Sequence, residues 1–208
     1  MTLLEALEPL YRSYLRRLDE MAARLPPDAV LAEATTRSDH GRLLLGDDGL
    51  PRRFDVADAR SGETFEVRGA RPDAPAATDA RIGRLEIRLL PGNWEVLPIV
   101  CAFDGEPVSD DAEAIAELLR GWAYLAAYGG FAQAAPSRGT AGAGRWSGRL
   151  HSIAIELVEN ELRCVVDLGS CPPAALESLC AALAAFGDDR APLAHATLGG
   201  FAKAADPA

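Results

Sequence analysis

The chain has 208 residues, 49% of them apolar and 25% charged, a globular rather than disordered composition with length enough for a substantial core. Its net charge of −10 opposes nucleic-acid phosphates and anionic membrane surfaces, and favours a basic protein as partner. The longest uncharged run, 121–137, contains Gly129, Gly130 and Pro136, so it is not a continuous membrane helix.

The charge is uneven: residues 1–100 carry a net −3 and residues 101–208 a net −7. Arginine supplies almost all the positive charge, with Lys203 the single lysine, a bias of the kind a GC-rich genome produces. The opening MTLLEALEPL has no basic n-region, and Glu5 and Glu8 interrupt its apolar stretch, so a bacterial cytoplasmic location is expected. Cys101, Cys164, Cys171 and Cys180 show no CxxC spacing and read as reduced, mostly buried thiols.

In chain order, Leu4, Leu7, Tyr11, Tyr14, Leu18, Met21 and Leu25 recur at steps of three and four. They predict a helix from about Thr2 to Arg24, stopped by Pro26 and Pro27, with Arg12, Arg16, Arg17, Asp19 and Glu20 on its other face. Such a seam suits a coiled coil, but a helix packed on its own sheet gives the same pattern, and that is the expectation. Short strands follow at Val30–Thr35, Arg42–Leu45, Arg53–Val56 and Thr64–Val67. Asp47-Asp48-Gly49 and Ser61-Gly62 are turn-forming residues between them, giving a meander of antiparallel hairpins. Ala70–Asp79, with Pro72 and Pro75, reads as a linker.

Two similar units come next. In the first, Arg84–Leu90 and Glu95–Phe103 are strands joined by a turn at Pro91-Gly92-Asn93, and Pro98 predicts an edge strand or a bulge. Asp110 and Glu113 resemble a capping pair for a helix running to about Tyr128, with Gly129 as its stop. After a Gly/Ala-rich loop, 133–147, the second unit has strands Arg149–Leu157 and Glu161–Leu168. Its helix runs from Pro172 to Phe186 and ends at Gly187, and a last short strand, His195–Leu198, returns to the sheet. Gly83-Arg84-Leu85 matches Gly148-Arg149-Leu150, and Ile99–Asp104 resembles Leu162–Asp167; generic strand patterning explains much of this, with an ancestral duplication as the alternative.

Candidate chemistry is sparse. Asp104, Glu106, Asp110, Asp111, Glu113 and Glu117 form an acidic corner, but their spacing is not that of a calcium loop, and acids at a helix start are favoured by its dipole. The glycines between Gly139 and Gly148 follow a helix and precede a strand, the reverse of a nucleotide-binding loop, and lack its lysine. Arg138, Arg145 and Trp146 could still make that loop a contact surface. His40, His151 and His195 are isolated in the sequence, and no nucleophile elbow or papain-like cysteine motif accompanies them. Cys171 precedes a helix, where a dipole lowers a thiol's pKa, although a buried structural role is the commoner one. The helix 172–186 carries Glu177 as its only charge, and Trp122, Tyr124, Leu125, Tyr128 and Phe131 make the preceding helix apolar around most of its circumference. Such surfaces are covered by the chain itself or form an interface.

The expected fold is α+β, a mainly antiparallel sheet with helices packed on one face: two ββα-like units preceded by an N-terminal helix and a β-meander. Residues 1–70 and 80–200 are expected to form one compact domain overall, with a linker at 70–79 and a flexible loop at 133–147. The expected function is non-enzymatic binding of a basic protein, as by an immunity or inhibitor protein that neutralises a toxin or enzyme, with no catalytic, cofactor or metal residues. Its contact residues would be Asp104, Glu106, Asp110, Asp111, Glu113, Glu117, Trp122 and Tyr128. A homodimer, an effector chaperone or an assembly factor would share these features. The alternative is a small hydrolase or transferase using Asp104, Asp167 and His151, provided the two carboxylates face each other across a cleft.

Overall fold

A computed structural model describes residues 2–67, 77–105, 109–132, 146–189 and 193–200. The N-terminal helix α1 (Leu3–Ala22) is fixed at its start by a capping box: the Thr2 hydroxyl accepts the Glu5 N–H, and the Glu5 carboxylate accepts the Thr2 N–H. Its buried stripe is Leu3, Ala6, Leu7, Leu10, Tyr14, Leu18 and Ala22, rotated from the expected seam so that Tyr11 and Met21 lie at its margin. Arg17, expected in water, instead makes two 2.9 Å bonds to Glu95 across the domain.

The meander is a small antiparallel sheet of β1 (Val30–Ala32), β2 (Val56–Asp58) and β3 (Thr64–Phe65). Between β1 and β2 the chain forms a long arm, held by single bridges Thr35–Arg53, Arg37–Leu43 and Leu45–Pro51 rather than by the continuous strands expected there. Gly49 and Gly62 take left-handed φ of 75°, as the Asp-Asp-Gly and Ser-Gly turns require.

The main sheet has six strands: β4 (Thr78–Ile82), β5 (Leu85–Leu89), β6 (Leu97–Phe103), β7 (Ser152–Val158), β8 (Glu161–Asp167) and β9 (Leu193–Leu198). Their order is β4-β5-β9-β6-β8-β7, antiparallel except for the β5–β9 pair. The register places Leu85, Ile87 and Leu89 on the same face as Leu97, Ile99, Cys101 and Phe103 and as Leu162, Cys164 and Val166. That face meets α1, α2 (Ser109–Ala127) and α3 (Pro173–Asp189) in one continuous apolar cluster. The α+β architecture with helices on one face is therefore as expected.

Four expectations need correction. The strands 84–90 and 95–103 are not a hairpin: β9 lies between β5 and β6, and Pro91-Gly92-Asn93 begins a crossing over its end. The crossing is close, since a Cβ on Gly92 would meet Gly199 Cα at 3.0 Å and one on Gly199 would meet the Leu90 carbonyl oxygen at 2.3 Å. β4, placed in a linker and a gap by the sequence, pairs with β5 across a two-residue turn begun by Gly83 at φ 57°. Pro98 lies in central strand β6, not at an edge. Its carbonyl accepts the Gly199 N–H at 2.8 Å, so its absent N–H would face a residue just past the end of β9, where no ladder bond is lost within the strand. Further, α3 continues through Gly187 to Asp189. Its apolar surface is covered by the chain itself, through α1, α2 and the sheet.

Candidate functional site

The solvent face of α2 is the first candidate. Glu113, Glu117, Arg120, Tyr124 and Tyr128 follow steps of three and four and share one side of the helix. Asp110 and Asp111 occupy its first turn, and Glu117 accepts a 2.7 Å bond from Arg120. Towards the C-terminal end Tyr124, Leu125 and Tyr128 are 59%, 51% and 50% exposed, with the two tyrosine rings 4.5 Å apart. Asp104 is exposed just past β6, and Glu106 lies outside the described residues. Trp122 points the other way: it is 7% exposed, and its indole N–H donates to the Ala175 carbonyl of α3 at 2.9 Å. Its side chain belongs to the core that joins α2 to α3, because a buried indole needs that partner.

The second candidate is a buried polar cluster where the meander meets the sheet. Glu33, just after β1, is fully buried at its side chain. One carboxylate oxygen accepts the hydroxyls of Ser147 and Ser170, at 2.6 and 2.7 Å, and the Ser147 N–H; the other accepts the Ser170 N–H at 3.0 Å and meets His151 Nε2 at 3.2 Å. Burial alone would raise the Glu33 pKa, but His151 and these serine donors outweigh it and hold the group at about 2. The opposite ring nitrogen, Nδ1, lies 3.4 Å from Asp55 and 3.8 Å from Asp167. Burial opposes a charge on His151, yet Glu33, Asp167 and Asp55 together shift its pKa upward. Asp55 accepts the Tyr14 hydroxyl and the Val67 N–H, each at 2.5 Å, and burial raises its pKa.

Asp167 closes β8 at the floor of a cleft of about 600 Å³, lined among others by Arg53, Glu66, Glu95, Val96 and Val165. Burial pushes Asp167 up to about 6. It lines that cleft together with Asp55 and His151. His151 is buried among three carboxylates, with Nε2 hydrogen-bonded to Glu33 and Nδ1 facing Asp55 and Asp167 at longer range. Asp104 stands at the opposite end of the antiparallel β6–β8 pair, about eight residues or roughly 25 Å from Asp167, so the two strand-end acids do not share a cleft.

The other residues singled out by the sequence are separate. His40 is exposed in the arm, and His195 is exposed on the open sheet face. Trp146 is half-buried and donates to Asp19 of α1, while Arg138 and Arg145 lie outside the described residues. Cys101 and Cys164 are diagonal neighbours on the buried face of β6 and β8. Cys171 is fully buried, which pushes its thiol up to about 12 and makes it inert rather than activated. Among the described residues no group of three histidine, cysteine or carboxylate side chains is arranged to hold a metal ion, and no helix is long and apolar enough to cross a membrane.

The sequence reading missed Glu33 and Asp55 altogether; of the two acids it set beside His151, Asp167 lies there at 3.8 Å and Asp104 does not. Four residues from positions 33, 55, 151 and 167 carry no local spacing. The single local sign, a glycine at 169 whose Cβ would strike the His151 ring at 2.5 Å, is unreadable without the fold.

Fold and sites define a two-layer α+β protein with an open sheet face, an acidic and aromatic helix face, and a buried histidine–carboxylate cluster. No protein-family model, no curated protein and no solved structure matches the chain.

Proposed function

We propose that the protein works by binding a basic protein partner through the solvent face of α2, as an inhibitor or immunity-type protein does. The observation that supports this is the composition of that face: acids in its N-terminal half, followed by three half-exposed apolar side chains, Tyr124, Leu125 and Tyr128. Large aromatic side chains left in water at the end of an acidic stripe make a hot-spot surface with its own electrostatic guide. A chaperone or assembly factor would use the same face. Acid/base hydrolysis through Asp104, Asp167 and His151 has less support, because the two acids are at opposite sheet ends and the imidazole is buried beside Glu33.

The test compares the wild type with the double reversal Glu113→Lys/Glu117→Lys in co-purification from the native host. A stoichiometric basic protein, retained at low salt, released near 1 M salt and lost with the reversed variant, is expected; at that ionic strength the screening length falls to about 3 Å. With the partner in hand, the reversal slows association at least tenfold. Identical recoveries from both proteins, or none from either, would sink the reading.

A further inference from the structure

We infer that the free edge of β7 takes up an extended segment of the basic partner as an added strand, in a groove walled by α2. This rests on the proposed binding function and names the second contact it uses. β7 ends the six-stranded sheet and pairs with β8 alone among the described strands. The Ile153 N–H points away from β8, since it donates to the Asp48 carboxylate at 3.1 Å. Backbone groups alternate in direction along a strand, so the amides of Ile155 and Leu157 point the same way. Asp48 thus occupies the first rung of a ladder whose following rungs pair with no other described strand. It is held there by its own turn, in which its second oxygen accepts the Leu50 N–H at 2.9 Å.

Beside this edge runs a groove of about 640 Å³. Ile153, Ile155 and Leu157 form its floor, and Ala112, Ala116 and Tyr124 of α2 its far wall. The alanines leave room for side chains from an added strand, and Leu157 is 40% exposed. Edge strands are normally blunted by charge, proline or a bulge; the seven residues of β7 carry one charge, Glu156, and neither proline nor a register shift. Main-chain bonds along such an edge supply affinity, and the pockets under alternate residues supply selectivity.

The charge around the groove selects its occupant. Asp47 and Asp48 line one end, and the base on the wall, Arg120, is already paired with Glu117, while the exposed Glu156 stands on the other face of β7. A second copy of this chain would bring another −10 and a facing Glu156, which opposes pairing of β7 with itself. An extended segment with alternating apolar and basic residues suits both the floor and the rim.

The probe is a phage-displayed library of random decapeptides, panned on the full chain at low salt. Enriched peptides are then synthesised and titrated into the isotope-labelled protein by NMR. Expected are alternating apolar and basic sequences, shifts centred on the Ile155 and Leu157 amides, and at least tenfold slower hydrogen exchange there. Methylating alternate peptide nitrogens should weaken binding at least tenfold with the protein unchanged. Leu157→Pro, which removes an outward amide, and Ala116→Arg, which fills the groove, should each abolish it. Shifts confined to Glu113, Glu117 and Tyr128 would overturn strand addition and leave the α2 docking reading intact. No enrichment of basic peptides, together with an empty co-purification, would overturn both. A peptide-free dimer joined through β7 would make a second copy the occupant and refute the basic segment.

Discussion

Glu33 adopts φ 46°, a left-handed conformation that a non-glycine residue takes only when its surroundings over-determine it. Here they do: its N–H donates to the Asp55 carbonyl, its own carbonyl accepts from Arg53, and its carboxylate is filled by Ser147, Ser170 and His151. The pH consequence has a definite sign. A carboxylate held at about 2 in the fold and near 4.5 when unfolded contributes stability that is fully present above pH 4.5 and lost as the pH falls towards 2. Glu33→Gln should therefore cost on the order of 3 kcal/mol at pH 7, and its deficit should close between pH 4.5 and 2. Asp167 acts oppositely, because a group raised to about 6 withdraws stability as the pH climbs from 3.8 to 6. Urea unfolding of wild type and variant at pH 7 and pH 2.5 checks this; an equal gap at both values refutes the role given to Glu33. Little of this was legible at the level of residues: the sequence groups Asp167 with His151, but it gives no reason for Glu33 and Asp55 to join them. They meet because the meander folds back onto the ends of β7 and β8.

At the level of elements the sequence was far more informative, because its signals there are local. Thr2 and Glu5 are three apart, apolar and charged residues alternate along β5, and Gly129 ends α2 at φ 84°; each marks an element without help from the rest of the chain. Order within the sheet is not local, and there the reading failed: a Pro-Gly-Asn between two strands looks like a hairpin turn whether or not a third strand passes beneath it. The glycines at that crossing give the measurable distinction. Gly199→Ala combines a left-handed φ of 83° with a Cβ 2.3 Å from the Leu90 carbonyl, and is expected to cost 3 kcal/mol or more on the order of the worst backbone substitutions. Gly62→Ala, with φ 75° and open space around it, should cost only about 1–2 kcal/mol. Denaturant titration of the two variants should rank them in that order; equal losses would mean that the crossing is not as tight as described.

For the whole molecule, α1, the arm and the six-stranded sheet contribute to one buried cluster. Bonds between distant segments join the same parts: Arg17 with Glu95, Tyr14 with Asp55, Trp146 with Asp19. A core shared in this way should unfold cooperatively. Tryptophan fluorescence, which reports Trp94 beside Tyr11 as well as Trp122 under α3, should lose its folded signal at the same urea concentration as the far-ultraviolet helix signal. An earlier fluorescence transition would show that α1 and the meander separate first.

The insertion of β9 between β5 and β6 also bears on how the protein is made. While the ribosome has delivered only the first five strands of the main sheet, the two flanks that will receive β9 both expose unpaired main chain, and each is lined by leucine and isoleucine. Both flanks remain open until Leu193–Leu198 has left the exit tunnel, after everything from β5 to the end of α3 has been synthesised. A pause late in translation would therefore leave a nascent chain with two adhesive edges, the condition that calls for a chaperone or leads to aggregation.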